Sequence, residues 1–152
     1  MNAGESDGAT SWTTPVSALV AVTGGGFVLV VAAILAQDGP SRLLVGLAAF
    51  AVLAMAVLGV RQRPRLTMVP EPAPRLVIGT LTGPKEYPLD RIDRIRMVSY
   101  RRLGRKSAML EVDVQHGDSE RLLIFGRWDL GTNPHDVYDA LVVNGFASVT
   151  DG

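Results

Sequence analysis

Apolar side chains run almost unbroken from Pro15 to Val60, interrupted once at Ala36-Gln37-Asp38-Gly39-Pro40-Ser41-Arg42. Val16 to Ala36 holds no charged residue, and neither does Leu43 to Val60. A helix rises about 1.5 Å per residue, so roughly 20 residues cross a ~30 Å hydrocarbon core. The first run reaches that length, and the second lies in the lower part of the usual range. A core helix of a water-soluble domain keeps a polar stripe at helical spacing, and neither run has one. The pattern predicts a transmembrane helical hairpin over residues 15–60, with spans at 16–36 and 43–60 and a hydrophilic turn between them.

Past Arg61 the apolar positions recur in short stretches separated by turn residues, which is strand chemistry. Leu66–Val69 and Arg75–Leu81 read as strands around the stiff Pro70-Glu71-Pro72-Ala73-Pro74 segment, whose prolines cannot donate hydrogen bonds. Thr82-Gly83-Pro84 reads as a turn, Glu86–Leu89 as an edge strand, Asp90–Arg94 as a polar turn and Ile95–Arg101 as the next strand. After a turn at Leu103–Lys106, Met109–Gln115 alternates, with Leu110, Val112 and Val114 on one face and Glu111 and Asp113 on the other. His116–Ser119 turns the chain into Glu120–Phe125, and Arg127–Thr132 reads as a loop. Asn133-Pro134 is a helix start, cap followed by first-turn proline. Val137, Tyr138, Leu141 and Val142 then line one side, and Gly145 is the stop. The expected order is six or seven strands and one amphipathic C-terminal helix.

Residues 1–14 (MNAGESDGATSWTT) are small, polar and mildly acidic, with too little to bury, which predicts a disordered tail. Trp12 in that tail reads either as an aromatic at the lipid headgroup level or as an incidental tail residue. No Lys or Arg precedes position 42, so the first span lacks the basic n-region of a cleaved signal peptide and is expected to be retained. The small residues Gly24, Gly25, Gly26, Gly46, Ala49, Ala54 and Gly59 let helices approach closely in lipid, so they are candidates for packing the hairpin and for meeting other integral membrane proteins. Arg42 stands alone in the turn, whereas Arg61, Arg63 and Arg65 follow the second span. Basic residues favour the cytoplasmic side, which predicts a multi-pass protein of the cell membrane with both termini cytoplasmic.

Charge and chemistry narrow the functional classes. Of the fifteen basic residues all but Arg42 lie after position 60, where twelve acids nearly balance them, so nothing marks a nucleic-acid reader. The absence of cysteine removes disulfides, thiolate nucleophiles, Cys-based zinc and a lipoprotein anchor. His116 in a turn and His135 at a helix start are expected to face solvent, away from any metal-ligand spacing. Asp90 with Asp93 and Glu111 with Asp113 read as solvated pairs lacking a pocket. No catalytic, cofactor or metal residues are expected. The one charged concentration is Arg94, Arg96, Arg101, Arg102, Arg105 and Lys106; with Arg61, Arg63 and Arg65 it is a candidate contact surface for anionic lipid.

Two spans followed by Tyr87-Pro88-Leu89-Asp90-Arg91-Ile92-Asp93-Arg94-Ile95 resemble the small actinobacterial membrane proteins that carry a bacterial pleckstrin-homology (PH)-like domain. In that group a hydrophobic-Pro-Trp/Leu-x-x-Ile-x-x-Ile segment runs from one strand into the next. Pro88, Leu89, Ile92 and Ile95 match it, as core and turn positions rather than a site. The resemblance covers roughly residues 60–148 and the anchor; residues 61–152 are expected to be a PH-like domain, cytoplasmic by the charge pattern at the span ends. It implies a bent, seven-stranded antiparallel barrel capped by the C-terminal helix. Eukaryotic namesakes often bind phosphoinositides through basic residues at the first strand turn. Here that turn is Pro70–Pro74, without a basic cluster, so headgroup binding does not carry over. The expected function is a non-enzymatic accessory or scaffold subunit of a larger respiratory or envelope-synthesis membrane complex. The alternatives are a module that binds anionic lipid and a scaffold that self-associates through a free strand edge.

Overall fold

A computed structural model describes residues 8–147 of the chain, apart from the side chain of Arg102. Its elements are strand β1 (Thr10–Trp12), helices α1 (Val16–Leu35) and α2 (Gly39–Arg61), strands β2 (Leu66–Val69), β3 (Arg75–Thr80) and β4 (Gly83–Pro88), and a 3-10 turn at Leu89–Arg91. Then follow strands β5 (Ile92–Arg102), β6 (Arg105–His116) and β7 (Ser119–Phe125), a one-turn helix α3 (Arg127–Leu130) and helix α4 (Pro134–Val143).

Both long helices are long and apolar enough to cross a membrane, and only 11 % of each apolar stretch is buried within the protein. Phe27, Ile34, Leu44, Phe50 and Met55 are each more than half exposed, a surface that a water-soluble core helix does not present. Helix α2 begins four residues earlier than the apolar pattern indicates. The Asp38 carboxylate accepts from the Ser41 N–H at 2.8 Å, and Pro40 occupies the first turn, so Gly39–Arg42 wind into the helix and the turn shrinks to Ala36–Asp38. Arg42 closes it by donating to the Ala36 carbonyl at 2.8 Å.

Beyond the helices the chain forms two antiparallel sheets, one ordered β1-β2-β3-β4 and one ordered β5-β6-β7. The core lies between them, built from Leu66, Met68, Leu76, Ile78, Tyr87, Ile95, Leu110, Val112, Val114 and Phe125, with Leu130, Val137, Leu141 and Phe146 closing one side. Each of these large side chains that is wholly buried contributes about 1.5–3 kcal/mol relative to exposure. Helix α4 packs on β5 and β6; Asn133 caps it by accepting from the His135 N–H, and Gly145 ends it at φ +76°.

Three expectations change. Residues 10–12 are not a disordered tail: they pair with β2 in the register Thr10↔Met68, Ser11↔Thr67, Trp12↔Leu66. Trp12 packs against the core, because the edge of β2 offers unpaired backbone and an apolar neighbour together. Residues 1–7 of that stretch lie outside the described residues. The expected barrel takes the form of two sheets on a common core: seven strands form, and among the described residues the sheets share no ladder. Finally, several turns are tighter than expected. Gly83 and Pro84 lie within β4, residues 105–106 within β6 and Ile92–Arg94 within β5 across a bulge, and residues 127–130 are helical rather than looped.

Candidate functional site

The two helices leave and re-enter the sheet domain at one joint, built from Thr13–Pro15 before α1 and Arg61–Arg65 at and beyond the end of α2. Here the basic residues expected to face lipid also hydrogen-bond within the protein, Arg61 from an exposed position and Arg63 and Arg65 half-buried. Arg61 donates to the Leu81 carbonyl at 3.2 Å and Arg63 to the Thr13 hydroxyl at 2.8 Å. Arg65 pairs with Asp129 at 3.2 Å, donates to Gln62 and to the Gly79 carbonyl, and lies 5.7 Å from the Phe125 ring centroid. Two glycines make the joint possible. A Cβ on Gly79 would run into the Gln62 and Pro64 carbonyls, and one on Gly131, at φ +71°, into the Thr13 carbonyl.

Within the helical hairpin, Gly26 receives Leu53, Gly59 receives Leu19, and Ala49 is buried. Ala56 is buried as well, and Ala54 is half-buried. Gly24 and Gly25 are exposed, and a Cβ on either of them or on Gly46 would meet nothing within 4 Å. These three are therefore open to whatever surrounds the hairpin. An apolar groove of about 400 Å³ beside Gly46 and Ala49 runs along Val30, Ala33, Ile34, Phe50 and Leu53.

The outer face of the second sheet corrects another expectation. Strand alternation puts Glu111 outward and solvated, yet it is only 2 % exposed. It accepts from the Tyr100 hydroxyl at 2.5 Å and from the Arg96 Nε at 2.6 Å. The Tyr100 hydrogen bond, then that of Arg96, holds the carboxyl below the usual range, while the same bond raises the tyrosine. Arg96 is thus neutralised by Glu111. Arg94 is exposed opposite Asp113. Arg101, Arg105 and Lys106 are exposed and form no ion pair among the described residues; Arg102 lies opposite Arg105 in the ladder, its side chain outside the described residues. The exposed basic residues that form no ion pair are therefore concentrated at the β5–β6 turn.

A second basic cluster escapes strand periodicity because its members come from separate elements. Lys85 and Arg121 border a groove of about 440 Å³ at the open seam between the sheets, which reaches Arg65 and Gln62. His116 is half-buried rather than solvent-facing. It lies 3.3 Å from the Tyr87 hydroxyl, and Lys85 above all, then burial, Arg121 and Arg91, pushes its pKa down. The unfolded chain protonates this imidazole near ~6.5, while the folded chain resists. Stability is accordingly lost as pH falls through ~6.5 towards the depressed folded value. Glu111, also depressed, adds a second loss in more acidic solution. His116→Gln is expected to flatten the first slope between pH 7 and 5, read by thermal unfolding followed through Trp12 and Trp128; an unchanged slope rules His116 out as its source.

Residues 63–145 match the family model described as a bacterial PH domain. The chain belongs to this bacterial PH domain family. Two uncharacterised proteins of Mycobacterium tuberculosis, from strains CDC 1551 and H37Rv, are each 36 % identical over 139 residues, covering 91 % of this chain and 94 % of theirs. No solved structure matches the chain. The PH match begins between Gln62 and Pro64, so β1 and both helices precede the matched segment, whereas the relatives' coverage takes in almost the whole arrangement. The protein is a membrane-associated module in which a PH domain follows two apolar helices and takes one strand from ahead of them.

Proposed function

We propose that the protein is a non-enzymatic, membrane-anchored interaction module: an accessory or scaffold subunit of a larger membrane assembly, respiratory or envelope-synthesising in kind. In this reading the PH domain and both termini lie on the cytoplasmic face of the cell membrane. The observation that carries it is the pairing of β1 with β2. The strands on either side of the helical hairpin belong to one sheet, so the chain crosses, turns at Ala36–Asp38 and returns to the surface it left. The domain then sits on the bilayer through two crossings and a hydrogen-bonded joint instead of swinging on a linker. A surface held at one height and orientation is preorganised, which reduces the ordering cost of engaging a partner in the same membrane.

The orientation is supported by Arg61, Arg63 and Arg65 at one end of the hairpin against Arg42 at the other. A partner helix would find close-approach positions at Gly24, Gly25 and Gly46, which the hairpin leaves open. Membership of the bacterial PH domain family supports the non-enzymatic reading.

The test is to tag the C-terminus, extract native membranes in mild detergent, and determine the mass and composition of what co-purifies. A stoichiometric integral-membrane partner, lost on Gly25→Leu or Gly46→Leu, is the expected result. A lone small species, with or without bound anionic lipid, would overturn the subunit reading.

A further inference from the structure

We infer that the β5–β6 turn is a membrane-docking tip, with Leu103 inserting among the headgroups of anionic lipid in the bilayer that α1 and α2 span. The inference rests on the reading of those helices as spans, and not on the presence of a protein partner.

Leu103 and Gly104 form a two-residue turn with φ +50° and +78°. Asn-Gly or Asp-Gly is the usual choice where both residues need positive φ. A branched apolar residue in that conformation is uncommon, and this one makes no compensating contact, since its relative exposure is 104 %. Folding gains nothing from a leucine at this position; an apolar phase outside the domain does.

Charge selects the phase. From Ile95 to Leu110 the chain has no acid, while Arg101, Arg102, Arg105 and Lys106 flank the leucine. Each basic residue near an anionic leaflet raises affinity roughly five-fold at moderate salt, and the gain fades within a Debye length. Glu111 neutralises Arg96 farther down the ribbon, so the charge is confined to the tip.

Location brings the tip near the membrane. The last β6–β7 pair is Leu110↔Phe125, and the last β5–β6 pair is Arg102↔Arg105. Five residues of β6 therefore extend beyond β7, about 17 Å at ~3.4 Å per residue. This ribbon leaves the domain beside α3: Tyr100, Ser107 and Met109 share a cleft with Trp128 and Asp129. Asp129 binds Arg65, and Gly131, which ends α3, abuts Thr13 and Pro15, so α3 and its C-terminal cap touch the chain at both crossings. Trp128, half exposed, supplies an interfacial aromatic on the same side.

The chain has no cysteine, so single-cysteine variants of the full protein carry one nitroxide each. Leu103→Cys, Asp118→Cys at the far β6–β7 turn and Phe50→Cys in mid-span are reconstituted into nanodiscs of phosphatidylcholine, with or without phosphatidylglycerol. Accessibility to oxygen and to a water-soluble relaxant gives depth. The expected result is Phe50 buried in both discs, Asp118 in water in both, and Leu103 at headgroup depth with phosphatidylglycerol only, released at high salt. With native Leu103 retained, a nitroxide at Ser107 should report the same docking, and Leu103→Asp should release it. Leu103 as accessible as Asp118 while Phe50 is buried would overturn the docking and leave the spans intact; an accessible Phe50 would overturn the spans themselves. Equal depth in both discs would overturn the electrostatic selection.

Discussion

Gly79→Ala is expected to lower the unfolding temperature of the detergent-solubilised protein by about 10 °C, corresponding to ~2 kcal/mol for a domain of this size. The cause is position, not conformational freedom. Gly79 is buried in β3 where the chain emerging from α2 crosses it, donates its N–H to the Arg65 carbonyl at 3.1 Å and accepts Arg65 on its own carbonyl. A methyl group would meet the carbonyl oxygens of Gln62 and Pro64. Backbone atoms cannot rotate aside as a side chain does, so β3 or the exit of α2 must shift, and the Arg65 network shifts with it. Gly25→Ala is the control: its Cβ enters open space on a helix, and alanine is the better helix former. Its unfolding temperature should match the wild type within about 2 °C. Both tryptophans report on the joint, since Trp12 lies before the first crossing and Trp128 beside Asp129. Equal unfolding temperatures for the two variants would show that the joint is looser than its geometry.

Removing residues 2–12 is expected to have the second large effect. It takes away β1 and bares the edge of β2, whose Leu66 is fully buried and opposite Trp12. It also frees the Arg65 N–H, which now donates to the Trp12 carbonyl at 3.1 Å. Losing a partly buried tryptophan costs about 2–4 kcal/mol, and an exposed strand edge invites pairing with another chain. Amide exchange should accelerate by at least ~10-fold across Leu66–Val69, with self-association in detergent, while the helices stay protected. Trp12→Ala should give the energetic part without the bare edge. Unaltered exchange in β2 after the deletion would mean that β1 contributes no stability to the sheet.

How much of this was legible in the sequence depends on how local the cause is. The two spans follow from charge-free apolar length, and α4 from Asn133-Pro134, the apolar side at Val137 and Leu141, and Gly145. The β6–β7 pair follows from alternation around Gly117-Asp118. Each of these signals acts within a few residues of itself, so it survives reading along the chain. Even the two-residue difference at a turn, as at Leu103-Gly104, concerns only where the ladder stops.

The tertiary structure decided what depends on distant neighbours. Thr10-Ser11-Trp12 has no strand signal of its own and becomes β1 because β2, more than fifty residues later, leaves an edge beside it. Glu111 obeys the outward alternation of β6 and is buried nonetheless, because Arg96 and Tyr100 on β5 cover it. Arg61, Arg63 and Arg65 look like a basic collar in sequence, but the domain's return to its own N-terminal strand turns them into its fastening. Apolar periodicity records which side of an element avoids water. It carries no record of which charge meets which carboxylate or carbonyl, and that pairing is set only when the two ends of the helical hairpin come together.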